Sequence, residues 1–63
     1  MKLTAIKSDT FFTKGESYTV VSTYENGIEV IDNHKYYRLV HGEELRKTFD
    51  GEDLMLLKLK GEL

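Results

Sequence analysis

The hydroxyl, imidazole and carboxylate side chains that could assemble a hydrolytic triad are present but scattered along the chain. Ser8 or Ser22 would supply the nucleophile, His34 or His41 the base, and an aspartate the orienting carboxylate. Neither serine lies in a nucleophile elbow or another local pattern that would activate it. The eleven acidic residues also offer many carboxylate pairs, and no spacing selects one of them for glycoside hydrolysis. The sequence therefore predicts a protein that is not an enzyme.

The sequence also has few residues that could bind a metal ion or a cofactor. The chain has no cysteine and only two histidines, which are too few for a zinc site without thiolate ligands. The five glycines are dispersed, and no Gly-Lys-Ser or Gly-Lys-Thr sequence marks a phosphate-binding loop. We expect no cofactor and no bound metal ion.

The length and net charge of the chain limit the kinds of protein that it can be. The 63 residues form one domain at most (1–63), and so small a core is marginal without disulfides, a metal ion or a second subunit. A homo-oligomer is therefore compatible with the sequence. The net charge is −2, and the sequence lacks the cluster of basic residues that nucleic-acid binding usually requires. Because no apolar run is long enough for a signal peptide or a membrane span, we expect a soluble, cytoplasmic protein.

Most of the chain has the alternation and β-branched content of short strands. A first strand is predicted over residues 2–7, and residues 17–24 alternate strongly enough to predict a second strand. The polar loop between them contains Phe11 and Phe12, which are expected to plug one end of the core. Gly15 in the same loop is expected to supply a backbone angle that other residues avoid. The pattern predicts a mainly β fold.

The pairing of the central strands can be predicted from their apolar side chains. A three-residue loop over residues 25–27, with Gly27 left-handed, gathers apolar residues on one face of the sheet. A turn at Asn33-His34 then pairs Ile31 with Tyr36 and Val30 with Tyr37. The predicted inner face holds Tyr18, Val20, Tyr24, Ile28, Val30, Tyr37 and Leu39. The predicted outer face carries a small apolar stripe of Val21, Ile31 and Tyr36.

The C-terminal third is predicted to hold one helical turn at residues 41–45 and a last short strand at residues 46–49. For residues 50–63 two structures are open. Asp50-Gly51 could turn into an extra strand, or Asp50 could cap a helix over residues 52–60, which contain no β-branched side chain. Composition favours the helix. Its leucines require burial, either against the outer stripe of the same sheet or against another subunit.

This order of elements resembles the SH3-like small barrel of about five strands, here followed by a short C-terminal helix or extra strand. In that barrel a Lys-Gly-Asp/Glu turn enters the second strand, and the match is carried by Phe12, Lys14, Gly15, Glu16, Tyr18 and Val20. The chain is similar in particular to short uncharacterised proteins of bacteriophages and prophages that share this barrel. The positions that match their pattern are Gly15, Tyr18, Val20, Asp32, Asn33 and Phe49. The resemblance spans residues 2–49.

The chain departs from the SH3 domains that bind proline-rich peptides. It has no tryptophan and no proline, and its first loop is short. We therefore assign no residue of this sequence to the aromatic peptide-binding site of those domains. The phage-like resemblance implies instead a small accessory protein that acts in the host cytoplasm by binding a host protein. A fold resemblance alone does not assign a function.

Two function classes follow from these observations. The leading hypothesis is a non-enzymatic protein-interaction module, with a host protein or a second copy of the chain as its partner. The residues predicted to bind the partner are Val21, Ile31, Tyr36, Arg38, Leu54 and Leu57. The alternative is a small barrel that binds single-stranded nucleic acid, in which Tyr36 stacks on a base and Arg38 contacts the backbone. The acidic balance of the chain argues against this alternative.

Overall fold

A computed structural model describes residues 1–60 as one antiparallel sheet followed by two helices. The strands are β1 (Lys2–Thr4), β2 (Ser17–Tyr24), β3 (Gly27–Ile31) and β4 (Tyr37–His41), and the helices are α1 (Glu43–Thr48) and α2 (Gly51–Leu59). The sheet is four-stranded with the order β1-β2-β3-β4. The prediction of a mainly β fold is confirmed. The sheet is open, and residues 1–60 contain no fifth strand.

The β2–β3 hairpin turns through two residues, and not through the predicted three. Tyr24 pairs directly with Gly27, and Asn26 adopts the left-handed conformation with φ of 59°. Asparagine tolerates this conformation, so the turn does not need the glycine for it. The extra residue of the hairpin lies instead inside β2, where the register shifts between Val20 and Ser22. The predicted left-handed Gly27 is therefore wrong, and a β-bulge at Val21 takes its place.

The β3–β4 hairpin differs from the prediction by one residue. Ile31 pairs with Tyr37, Val30 with Arg38 and Ile28 with Val40. The loop is one residue longer than predicted because Lys35 is left-handed, with φ of 67°. A slip of one residue turns every side chain of a strand to the opposite face. The predicted inward orientation of Tyr37 and Leu39 is therefore wrong, and Val40 is buried instead.

The C-terminal third contains more helix than predicted. Residues 46–48 belong to α1, so the predicted last strand is reduced to one bridge between Phe49 and Ala5. The Asp50 side chain accepts hydrogen bonds from the backbone N–H groups of Glu52 and Asp53, which satisfies two free donors at the start of α2. The favoured prediction of a capped helix is confirmed over the described residues. The alternative of an extra strand is excluded for residues 51–59.

The core lies between one face of the sheet and the two helices. Phe49 is fully buried at its centre, and its ring makes edge contacts with those of Phe12 and Tyr18. Leu57 of α2 and Leu3 of β1 are also fully buried. The predicted role of Phe12 as a plug for the core is confirmed. Among residues 1–60, the buried hydrophobic residues are Leu3, Ala5, Phe12, Tyr18, Ile28, Val30, Val40, Leu45, Phe49, Leu54 and Leu57.

Candidate functional site

The structure places the predicted stripe residues in three different settings. Val21 lies at the bulge of β2 and is partly exposed, and Ile31 lies on β3 beside Tyr37. Tyr36 lies in the turn that precedes β4, with 69% of its surface exposed. The observed register separates Ile31 from Tyr36, so the predicted pair between these two side chains does not form.

The two leucines that were predicted to bind a partner belong to the core. Leu54 is 8% exposed and Leu57 is fully buried. Their helix, α2, contacts β1 and α1. The alternative in which the C-terminal segment covers the outer stripe is not observed for residues 51–59. These leucines stabilise the fold and are not accessible to a partner.

An exposed apolar surface lies on the side of the sheet that faces away from the helices. Tyr37 and Leu39 of β4 are 65% and 56% exposed, and Tyr24 of β2 is 52% exposed. Ile31 adds to them because it is the direct cross-strand neighbour of Tyr37. We call these four residues the exposed face. Large apolar side chains grouped on a small monomer mark an interaction surface more often than scattered ones do.

A shallow groove of about 400 Å³ continues the exposed face toward the β2–β3 turn. Its floor is Gly27, whose direct partners Tyr24 and His41 stand on either side. A Cβ atom at position 27 would lie 3.1 Å from Cβ of His41, so the glycine lets these strands carry their side chains close together. Leu39 and Glu29 complete the wall near β4. The groove offers a partner an apolar surface with two carboxylates beside it, those of Glu25 and Glu29.

A buried carboxylate fixes the start of β4. Asp32 is 2% exposed, and its side chain accepts hydrogen bonds from the backbone N–H groups of His34 and Tyr36 and from Nε of Arg38, at 2.8, 3.1 and 2.9 Å. Burial by itself raises the pKa of Asp32, but the hydrogen bonds from Arg38 and the two backbone groups outweigh it and hold the pKa below its ordinary value. We call this arrangement the Asp32 clamp.

The clamp also joins the first loop to the sheet. The Arg38 guanidinium carbon lies 3.4 Å from the ring centroid of Phe11, a cation–π contact. The backbone N–H of Asn33 donates to the carbonyl of Phe11 at 2.8 Å, and the Tyr18 hydroxyl donates to the side-chain oxygen of Asn33 at 2.7 Å. Arg38 is therefore committed to a structural contact on both sides. This geometry does not support its predicted role in binding a partner.

Two further features of the described chain bear on chemistry. Residues 1–60 contain no group of three or more His, Asp or Glu side chains that could hold a metal ion. Neither α1 nor α2 has the length and apolar character needed to cross a membrane.

Sequence reasoning assigned three members of the exposed face to the core. Tyr24, Tyr37 and Leu39 are apolar, and apolar pattern alone placed them inside. The available signal was Asp32, because an aspartate before a turn often accepts hydrogen bonds from backbone groups two and more residues later. Such a turn lengthens the loop by one residue and therefore turns the side chains of β4 to the opposite face of the sheet.

No protein-family model, curated protein or solved structure matches this chain.

Proposed function

We propose that this protein is a non-enzymatic interaction module that binds another protein through the exposed face. The supporting observation is the surplus of apolar surface. Within residues 1–60, ten large hydrophobic side chains are exposed, against eleven in the buried core. Tyr24, Tyr37 and Leu39 contribute to this surplus from neighbouring positions of one sheet. Exposed tyrosines suit such a role, because aromatic side chains supply much of the binding energy in protein interfaces.

The charge of the exposed face favours a protein partner over a nucleic acid. Among the residues of β3 and β4 that project to this side, Glu29 is acidic and none is lysine or arginine, and the one lysine of the sheet on this side is Lys2 on the distant edge strand β1. Arg38, which the nucleic-acid alternative requires, donates to Asp32 and stacks on Phe11. Phosphate groups need several accessible cations, and the exposed face itself has no lysine or arginine.

The resemblance to small phage proteins extends the proposal to the partner. We infer that the partner is a host protein and that the binding modulates its activity in the host cytoplasm. We also propose that the sheet is a reduced SH3-like barrel. In this interpretation the bridge between Ala5 and Phe49 stands at the position of the fifth strand. Both inferences rest on the sequence resemblance.

The test compares two pairs of substitutions on opposite sides of the molecule. The double variant Tyr37→Ser/Leu39→Ser removes the apolar side chains of the exposed face. The control Met55→Ser/Leu56→Ser removes side chains of similar exposure, 63% and 53%, from α2. Each protein is used to capture partners from a bacterial lysate, and the captured protein is then purified and titrated by calorimetry.

We expect the sheet variant to bind the purified partner roughly tenfold or more weakly, and the helix variant to bind like the wild type. Circular dichroism must show that both variants remain folded. Equal binding by the sheet variant and the wild type would overturn the assignment of the exposed face. Retention of labelled single-stranded DNA in a gel shift at low salt would favour the nucleic-acid alternative instead.

A further inference from the structure

The backbone of β4 offers unpaired hydrogen-bonding groups on its outer side. The N–H of Gly42 donates to the carbonyl of Asn26 at 3.0 Å, and the N–H of Asp32 donates to the carbonyl of Tyr36 at 2.9 Å. Antiparallel strands alternate between residues that bond to the neighbour and residues that face away. In β4 the even-numbered residues bond to β3, so the backbone groups that face away belong to Tyr37, Leu39 and His41.

No strand in the described part of the chain pairs with that side of β4. Within residues 1–60, no backbone or side-chain hydrogen bond to these three residues is found beyond the sheet itself. A groove of about 270 Å³ runs beside the strand, and Phe11, Glu44 and Thr48 form part of its wall. A second strand could therefore approach the edge of β4.

Natural proteins protect such edges, and β4 has two of the usual devices, its short length and one inward-pointing charge, but lacks the others. It contains no proline and no lysine, and its pairing with β3 has no bulge. Its one charged side chain, Arg38, points to the inner side and is already neutralised by Asp32 at 2.9 Å. The strand is regular, short and rich in apolar side chains. Such an edge is a template for pairing with another chain.

We propose that β4 pairs with β4 of a second copy of this chain, antiparallel and centred on Leu39. The proposal follows from the position of the outward backbone groups. A two-fold axis at Leu39 places Leu39 opposite Leu39 of the second copy, and Tyr37 opposite His41. Each outward residue then exchanges N–H···O bonds with an outward residue of the other copy. No shift in register is needed to match the two edges.

The side chains of the two copies are compatible in this register. On the exposed face, leucine meets leucine and tyrosine meets histidine. On the inner side, Arg38 lies opposite Val40 of the second copy, and Glu44 lines the groove next to Val40. Arg38 is bonded to Asp32 and Glu44 to Lys7 within each copy, and like charges do not face each other in this register. A two-fold interface requires a surface that complements itself, and the edge of β4 does so in its outward backbone groups and its side chains, which favours a second copy over an arbitrary strand.

Edge pairing over the five residues of β4 buries less surface than the roughly 1,200 Å² of the smaller stable interfaces. We therefore expect a weak dimer that forms at high micromolar to millimolar concentration. The dimer joins two exposed faces into one wider apolar surface. The inference is independent of the proposed function, since it concerns the backbone edge of β4, whereas the proposed partner contacts side chains on the face.

Site-specific crosslinking tests the register. The chain contains no cysteine, so a single introduced thiol reports one position. Leu39→Cys should be dimerised by a short bis-methanethiosulfonate reagent, because the two Cα atoms at the axis would lie about 5.5 Å apart. The matched control Tyr24→Cys lies on the same exposed face but on β2, away from the edge. We expect the control to crosslink at least roughly tenfold more slowly.

The direction of pairing is tested by mixing two variants. Tyr37→Cys and His41→Cys should give mainly the mixed dimer, because antiparallel pairing places these positions opposite each other. Preferential crosslinking of Tyr37→Cys with itself would indicate a parallel arrangement and would overturn the proposal. Equal rates for Leu39→Cys and Tyr24→Cys would also overturn it, because random collisions explain such a result.

Amide hydrogen exchange of the unmodified chain provides a second measurement. At millimolar concentration the amides of Leu39 and His41 should exchange more slowly than in dilute solution, whereas those of Arg38 and Val40 should be protected at both concentrations. The variant Leu39→Pro removes one outward donor and no bond to β3, so it should remain folded and lose the concentration effect. Concentration-independent exchange at Leu39 in the wild type would contradict pairing.

Discussion

The β1 edge of the sheet is closed by hydrogen bonds, whereas the β4 edge is open. At the β1 edge, the N–H of Thr4 donates to the Asp53 carboxylate at 2.9 Å, and the carbonyl of Thr4 accepts from the N–H of Asp50, also at 2.9 Å. The N–H of Ile6 donates to the carbonyl of Thr48 at 2.8 Å. At the β4 edge, the corresponding groups of Leu39 have no such partner among residues 1–60.

The difference follows from the path of the chain. After β4 the backbone crosses the core as α1, and the segment at Phe49 and Asp50 reaches the opposite edge of the sheet. α2 then packs on β1 and ends, so the described chain has no further element with which to cover β4. The comparison indicates that stability is concentrated at the β1 edge. The β4 edge and the adjoining exposed face are the regions available for binding.

The largest expected effect is the loss of Phe49 at the closed edge. Phe49→Ala removes a fully buried ring and should lower the free energy of unfolding by about 3–5 kcal/mol, which can unfold so small a domain. The milder variant Phe49→Leu should lose about 1 kcal/mol and remain folded. Urea denaturation followed by circular dichroism measures both. A fully stable Phe49→Ala protein would contradict the placement of Phe49 in the core.

The second effect concerns the Asp32 clamp beside the open edge. Asp32→Asn should lower stability at neutral pH by about 2 kcal/mol, because hydrogen bonds to a charged group are the stronger ones. The pKa of Asp32 is lowered in the folded state, so its contribution is complete above the ordinary value of 3.8 and is lost as the pH falls through the lowered folded pKa. Melting temperatures of both proteins should therefore converge in strong acid. A constant difference at every pH would refute this assignment.

The third effect tests the hydrogen bond that closes β1. Asp53→Ala removes the acceptor of the Thr4 N–H and should lower stability by about 1.5 kcal/mol. Glu52→Ala is the matched control, since it removes a carboxylate from the same first turn of α2 without contacting β1. The control should lose only a few tenths of a kcal/mol from the helix dipole. If the two variants lose equal stability, the bond to Thr4 has no special role.

The smallest effect is expected at the open edge. Leu39→Ala shortens a side chain that is 56% exposed and should change the stability of the dilute protein by less than about 0.5 kcal/mol. The same urea titration measures it. A loss comparable to that of Phe49→Leu would show that the β4 edge is part of the core, and the contrast between the two edges would then disappear.

Local sequence rules predicted the elements better than their pairing. The alternation of residues 17–24 and the Asp50 cap were enough to locate β2 and α2. The prediction failed at residues 46–49, where the helix that begins at Glu43 continues through Arg46 and Lys47 to Thr48, although Thr48 and Phe49 favour strands. The prediction also assigned the side chains of β4 to the wrong faces of the sheet, and it therefore missed Tyr37 and Leu39 as members of the candidate site. That choice depends on one residue of register, which apolar pattern does not determine when both faces carry apolar side chains.

The sequence by itself determined a small, cysteine-free, mainly β chain with a capped C-terminal helix, because these properties depend on composition and on neighbours within a few residues. The tertiary structure decided which side chains of β4 are buried. The turn at Asp32 permits the observed register, and the contact of Arg38 with Phe11 of a distant loop holds Arg38 on the inner side. That register exposes Tyr37 and Leu39, and the exposed face exists for this reason.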